Sequence, residues 1–528
     1  MKHMKKVLAF AMALMMLMSL ALTVSAADDS YTIKLSGSAT KPTEGHTYTV
    51  YQIFTGTLSL VEGQKILSDV VYGANYTPGE TQVGDDVPDS ELEAITDARA
   101  FADKLVSEDL LEGTYGVLNE GNAWTLEEVS AGYYLIVDTT EVLPEGHTRS
   151  QYIVQVVDDI NMKPKGGVVD VIKKVKDIND SEDAEIGDNA WTDTADHDIG
   201  DIVPYEIKSN ISEIADFATY KVAYNDVMSK GLTYNNDAKI TMTYNVVGGE
   251  TKEIDVTDAF TITSKDYDGT DEKYQGGKVY TFACEDLKAL VAEEGNLVNA
   301  TITIDYTCTL NSDAQVGVAG NPNKVNLEYT REYDEEEPGV TPWDVNIVFT
   351  YRVDVNKVDS EGKPLTGAEF RLEKFVADEN GTEEHNGVKG NWEPLELAVS
   401  EDGTKFSFKG LDDGYYRITE TVAPEGYNKI DVIYFTVSAD HTVDPEELQL
   451  IDLQATQSDA DKETGAAAEF TVELEAGALE TDIVNEAGVE LPSTGGIGTT
   501  IFYIVGGLLA AAAVVLLVTK KRMASAAE

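Results

Sequence analysis

Three polar side chains stand where strand alternation would otherwise place apolar ones, and together they could make a covalent bond. In Tyr351-Arg-Val-Asp-Val-Asn-Lys-Val358, alternation puts Val353, Val355 and Lys357 on one face and Arg352, Asp354 and Asn356 on the other. Ile418, Glu420 and Val422 align likewise in YYRITETVAPEGY, and Ile483 shares a face with Asn485 in DIVNE. An amine, an acid and an amide thus each sit on an apolar face. Burying one of them alone costs about 1–3 kcal/mol, and an isolated charge costs far more. Desolvation lowers a lysine pKa and raises that of a glutamate, so the two can meet as neutral amine and neutral acid. Protonated Glu420 would then hydrogen-bond the Asn485 carboxamide oxygen and polarise its carbon. The Lys357 amine attacks, ammonia leaves, and a Lys–Asn isopeptide bond remains, formed by general acid–base catalysis within the protein's own core.

A second set follows the same parity. In VVDVIKKV, Val169, Val171, Lys173 and Val175 share a face and Lys174 falls outside it. In NPNKVNLEY, Asn323 joins Val325, Leu327 and Tyr329, whereas Asn326 does not. A looser third set is Lys34 in YTIKL, Asp138 and Asn161. There Asp138 reads as a turn or rim residue and Lys34 as exposed.

The elements that must position these groups are strands. Runs rich in Val, Ile, Thr and Tyr alternate between Gly, Asp and Asn turns, as at 47–54, 133–140, 240–247 and 415–421. Helical periodicity is confined to 90–108 and 284–295. The expected fold is all-β: tandem immunoglobulin-like sandwiches in an elongated rod. GYYLIVD at 132–138 and GYYRITE at 414–420 share a frame, which suggests a related late strand in a first and a last domain. Domains are expected at 27–165, 166–350 and 351–490. With 528 residues the chain is too long for one core.

Both ends carry processing signals. Lys2, Lys5 and Lys6, an apolar stretch and Val24-Ser25-Ala26 read as a secretory signal peptide over 1–26. At the other end LPSTG (491–495) precedes an uncharged apolar span at 497–518 and a tail, 519–528, with Lys520, Lys521 and Arg522. Such a span is long enough to cross a bilayer, and the basic cluster stays cytoplasmic.

These features resemble known families. Motif, span and basic tail resemble the cell-wall sorting signal of Gram-positive bacteria. The resemblance implies sortase recognition of Leu491 and Pro492, cleavage between Thr494 and Gly495, and transfer of the Thr494 carbonyl to an amine. KVDSEGKPLTGAEFRL, GYYRITETVAPEGY and DIVN resemble a Cna B-type domain of pilins, with Glu420 at the E-box acid and Lys357–Asn485 as the bonded pair. YNDVMSKGLTY resembles the pilin segment that carries a catalytic aspartate, which implies Asp226 as the acid for Lys173–Asn323. NMKPKGG resembles the pilin motif and implies Lys165 as the amine that accepts Thr494 of the next subunit. Lys163 stands where that motif has tyrosine, and remains a rival acceptor.

The resemblance as a whole implies the backbone subunit of a sortase-assembled, wall-anchored pilus. The alternative is a monomeric wall-anchored adhesin or a minor tip or base pilin. Its partners would be a pilin-polymerising and a housekeeping sortase, identical subunits, accessory pilins, peptidoglycan and host surface ligands, with no cofactor.

Composition excludes other classes. Lys+Arg of 39 against Asp+Glu of 95 gives a formal charge of −56, which repels nucleic acid. No nucleophile elbow, zinc-protease helix or phosphate loop occurs, and the six histidines are scattered. The Asp-rich run 177–198 lacks the spacing of a calcium loop and reads as an exposed acidic loop. Whether Cys284 and Cys308 pair is open, because sequence does not give their separation.

Overall fold

The computed structural model describes residues 22–23, 30–38, 42–61, 64–95, 98–106, 114–115, 117–119, 123–164, 167–182, 191–212, 214, 217, 219–246, 251–291, 297–331, 338–395, 397–442, 447–488 and 497–524. The signal peptide up to residue 21, Lys165 and the LPSTG motif lie outside these residues. Leu22 and Thr23 pair antiparallel with Leu60 and Ser59.

The described chain is built from six β-sheets that face one another in three successive pairs. In the first pair, the 14-residue strand Tyr48–Val61 lies between Gln64–Tyr72 and Gly132–Asp138. It faces a smaller sheet holding Tyr31–Ser36 and Ala123–Val129. Trp124, Tyr48 and Ile136 lie between these sheets, and helix Ala98–Val106 seals a second cluster around Phe54 and Tyr72.

In the second pair, one sheet runs Asp170–Lys176, Ile202–Ser212, Leu297–Leu310, Lys239–Val246. The opposing sheet runs Asp344–Phe349, Asn321–Tyr329, Val222–Met228, Lys278–Cys284. The β-branched and aromatic residues that alternate inward, such as Ile302, Ile304 and Tyr306, form one continuous core. The third pair sets Lys405–Leu411, Tyr351–Asp359 and Ala478–Asn485 against Glu369–Ala377, Gly414–Val422 and Ile433–His441. Tyr351–Asp359 pairs in parallel with Ala478–Asn485, so first and last strands of this sandwich lie side by side.

The all-β expectation is met, and each of the four runs read as strands lies mostly within a strand. One helix expectation fails. Over 284–295 the described residues form only a four-residue 3-10 turn, Lys288–Val291. Asp286 Oδ1 accepts from both Lys288 N and Tyr220 N, and Leu287 and Val291 are drawn into the core. Tertiary packing thus overrides local helical preference. Cys284 and Cys308 are buried free thiols on opposing sheets, with Cys308 Sγ 3.6 Å from Met228 Sδ.

The last two sandwiches meet through backbone. Gly317 N donates to Thr350 O, and Val318 N donates to Glu475 O. Gly317 has φ +86°, and a Cβ there would lie 2.6 Å from Ala476 C. Gly317→Ala is therefore expected to lower the thermal midpoint of the ectodomain, by about 1–3 kcal/mol in stability, as read by calorimetry.

Candidate functional site

Parity along each strand carries into burial. Tyr351–Asp359 alternates so that Val353, Val355 and Lys357 are fully buried, and Asn485 and Glu420 are buried too. Lys357 and Asn485 come from the paired first and last strands, where Asp359 is the register partner of Asn485. Glu420 reaches across from the opposing sheet. Asn485 Nδ2 donates to Glu420 Oε1 at 2.9 Å and to Oε2 at 3.1 Å, and Ile430 N donates to Oε2 at 3.0 Å. The amide presents its nitrogen to the acid, and Asn485 Oδ1 has no hydrogen-bond partner among the described residues. Lys357 Nζ donates to the carbonyls of Ile483 and Val358 at 2.7 and 3.1 Å. Burial pulls its pKa down to about 8, with the charge of Glu420 opposing. A buried amine near neutrality beside a buried amide and acid can undergo acyl transfer with loss of ammonia. Val422, expected on the same face, is exposed at the end of its strand, past a register shift between Glu369 and Phe370.

The structure also brings Lys173, Asp226 and Asn323 together. Asp226 and Asn323 lie on neighbouring strands of one sheet, where Met228 is the register partner of Asn323. Lys173 comes from the facing sheet, and all three are fully buried. Lys173 Nζ lies 3.0 Å from both oxygens of Asp226. Burial lowers Lys173 and raises Asp226, each against the charge of the other, and so moves the pair towards neutral amine and acid. Asn323 Oδ1 has no partner among the described residues. Lys174, as its parity requires, points away and pairs with Asp193.

Sequence reading missed Tyr306. Its hydroxyl takes part in this set, and its place in the alternating run Ile302, Ile304, Tyr306, Cys308 was the available signal.

The first sandwich does not assemble a third set. Lys34 and Asn161 are register partners on strands of one sheet, but both are exposed. Asp138 is not a rim residue. It is buried and accepts from His46 Nδ1 at 2.7 Å, and His46 Nε2 lies 2.8 Å from His147 Nδ1. Lys163 is exposed, as a sortase acceptor must be, and its neighbour Pro164 is buried.

The acidic run at 177–198 departs from expectation. Its described residues form the joint with the last sandwich instead of an exposed loop. Lys374, buried in that sandwich, is clasped by Asp180, Asp198 and Asp412. Ser181 Oγ donates to Phe375 O, Asn179 Nδ2 donates to Asp413 Oδ2, and Ile199 N donates to Gly410 O. Composition alone could not show this, because the one buried lysine that draws the carboxylates inward lies nearly 200 residues away. Asp177, Asp196 and His441 offer ligand atoms within 4.8 Å of one another, a spacing a divalent cation would accept. Burial raises Asp198 to about 6 despite Lys374.

With this geometry in place, the chain was compared with known proteins. Residues 199–333 match the Gram-positive pilin backbone subunit 2, Cna-B-like domain, and residues 351–448 match a prealbumin-like fold domain. Residues 483–525 match the LPXTG cell wall anchor motif. A curated relative, the trypsin-resistant surface T6 protein of Streptococcus pyogenes serotype M6, is 26% identical over 58% of this chain and 62% of its own length. The chain thus spans less than two thirds of that relative. Among solved structures, the T6 backbone pilin of S. pyogenes has a TM-score of 0.49 at 17% identity, covering 88% of this chain and 100% of that one. The major pilin SpaD of Corynebacterium diphtheriae has a TM-score of 0.45 at 16% identity, covering 87% and 97%. The chain thus carries a match to a pilin backbone domain and an LPXTG cell wall anchor motif, the features of a wall-anchored surface protein. Within that class, residues 199–333 are similar to a domain of Gram-positive pilin backbone subunits, and the curated relative is similar over part of the chain.

Replacing Lys374 by Met should strand three carboxylates in the joint. The expected loss is about 3–5 kcal/mol at neutral pH, seen as a lower melting transition of the ectodomain. Because the stranded carboxylates take up protons as pH falls, the deficit should shrink towards pH 5.

Proposed function

We propose that this chain is the repeating subunit of a covalent pilus. Sortase would join Thr494 of one subunit to Lys165 of the next, and internal Lys357–Asn485 and Lys173–Asn323 bonds would stiffen each subunit. The observation that carries the internal bonds is the convergence of a buried lysine, a buried carboxylate and a buried asparagine in two separate sandwiches. The asparagine carbonyl oxygens lack partners among the described residues. Left unreacted, each set holds buried polar groups at a cost of about 1–3 kcal/mol apiece. Acyl transfer removes the amine and closes the set.

A Lys357–Asn485 link ties first strand to last. By analogy with a disulfide closing a loop of comparable length, it constrains the unfolded chain by about 4–5 kcal/mol. Pulling force on the ends of that sandwich would then pass through a covalent bond rather than through strand hydrogen bonds. Lys165 is the favoured acceptor by its motif, and a polymerising sortase, a housekeeping sortase, accessory pilins and peptidoglycan are the partners this role requires.

Intact-mass spectrometry of the recombinant ectodomain tests the internal bonds. Each link removes one ammonia, about 17 Da, so a deficit of two is expected, and Lys357→Ala should restore one. A full-mass wild type would rule the bonds out.

Titration gives a second check. In Asn485→Ala, Lys357 stays a free amine with a folded pKa near 8 against 10.5 in the open chain. The unfolded chain therefore holds a proton that the folded one has lost, and stability should rise as pH goes from about 8 towards 10.5. The linked wild type has no such amine and should lack that slope.

For the polymer, Lys165→Ala in the producing cell should abolish the ladder of very large species on a denaturing gel of wall extract. A single band from the wild type would mean a monomeric adhesin or minor pilin.

A further inference from the structure

The middle sandwich holds a fourth polar group, and it touches each member of the Lys173 set. Tyr306 Oη accepts from Lys173 Nζ at 2.6 Å and from Asn323 Nδ2 at 2.9 Å, and donates to Asp226 Oδ2 at 2.5 Å. One buried oxygen therefore lies within hydrogen-bond reach of the nucleophilic nitrogen, the leaving nitrogen and the acid. The ring is held in place. It stacks on Tyr205 at 5.4 Å and 12°, and meets Tyr234 edge-on at 5.7 Å.

Among the described residues, the last sandwich holds no such group between acid and amide. There the Glu420 oxygens receive Asn485 Nδ2 directly, at 2.9 and 3.1 Å. In the middle sandwich the hydrogen bonds described join Asp226 to Lys173 and Tyr306, and none joins it to Asn323. Aspartate is one methylene shorter than glutamate, and the phenol hydroxyl spans the gap.

We propose that Tyr306 is a catalytic residue for bond formation in the middle sandwich, its hydroxyl passing a proton from Asp226 to the departing nitrogen of Asn323. This rests on the Lys173–Asn323 pairing proposed above. The ion pair first becomes neutral amine and carboxylic acid by proton transfer from Lys173 to Asp226. Lys173 Nζ then attacks Asn323 Cγ. As the Cγ–Nδ2 bond breaks, Tyr306 gives its proton to Nδ2 and takes the proton of Asp226, and ammonia departs. The new amide nitrogen releases its extra proton to the Asp226 carboxylate. Tyr306 finishes as it began and Asp226 finishes as the carboxylic acid, so the net change is one N–C bond made, one broken, one ammonia lost and one proton moved from Lys173 to Asp226. Burial and the charge of Asp226 hold the Tyr306 phenol well above its ordinary pKa, which keeps it protonated and suits a relay rather than a base.

Tyr306→Phe tests this, because it keeps the stacked ring and removes only the hydroxyl. The purified full ectodomain is refolded from denaturant directly after synthesis. Intact mass is then followed over time, and peptide mapping distinguishes the two links. Loss of a proton relay predicts that the Lys173–Asn323 link forms about 100-fold more slowly while the Lys357–Asn485 link forms normally. A second variant separates relay from packing. Tyr306→Phe with Asp226→Glu exchanges an oxygen for a methylene and lets the longer acid reach Asn323 directly, as Glu420 reaches Asn485. Recovery of the middle link in this double variant is expected. Wild-type kinetics in Tyr306→Phe, or a double variant that links no faster than the single one, would overturn the role of Tyr306. A wild type that never forms the Lys173 link would instead overturn the pairing beneath it.

Discussion

Much of this chain is organised around the cost of taking an amine out of water. Lys173 and Lys357 sit in apolar strand faces where a methylated chain would pack without penalty. Burial at either place disfavours the ammonium form and favours a free lone pair. A carboxylate alone would answer that cost with an ion pair, but buried ion pairs seldom repay their desolvation. Adding an amide sets a carbonyl within the same buried set, and the bond proposed above would leave nothing charged behind. Strand order follows from the same need, since amine, amide and acid must converge from separate strands onto one interior point.

The two sets solve the problem with different parts. Where the acid is glutamate, it reaches the amide unaided from the facing sheet. Where it is aspartate, acid and amide share a sheet, and a tyrosine from across the core stands between them. The difference of one methylene thus coincides with a difference in which sheet supplies the acid. The relay proposed above would account for a tyrosine at a position that isoleucine holds two and four residues earlier.

The joint between the last two sandwiches is a further use of buried charge. An acidic coat keeps an exported chain soluble, yet some of these carboxylates are drawn inside by Lys374. Burial pulls this lysine down, but the surrounding carboxylates hold it well above its ordinary value. Backbone bonds at Val318 and Ile199 close the same joint, so neighbouring sandwiches are coupled by both polar networks and main chain.

Strand parity was legible without coordinates, because a side-chain period of two needs only the order of residues. It put Lys173 inside and Lys174 outside, and it set Lys357 among valines. The anchor motif and its apolar span were equally plain, since length and hydropathy alone decide whether a segment can cross a bilayer. Three things required the tertiary structure. Tyr306 became more than another aromatic core residue only when its hydroxyl was seen among three polar groups from other strands. The acidic run became a joint because its partner lysine is remote in sequence. Asp138 proved to be buried because His46, with His147 behind it, comes from remote segments to cover the end of its strand. Local order tells which way a side chain points, but what it meets there is set by strands that the chain brings back from far away.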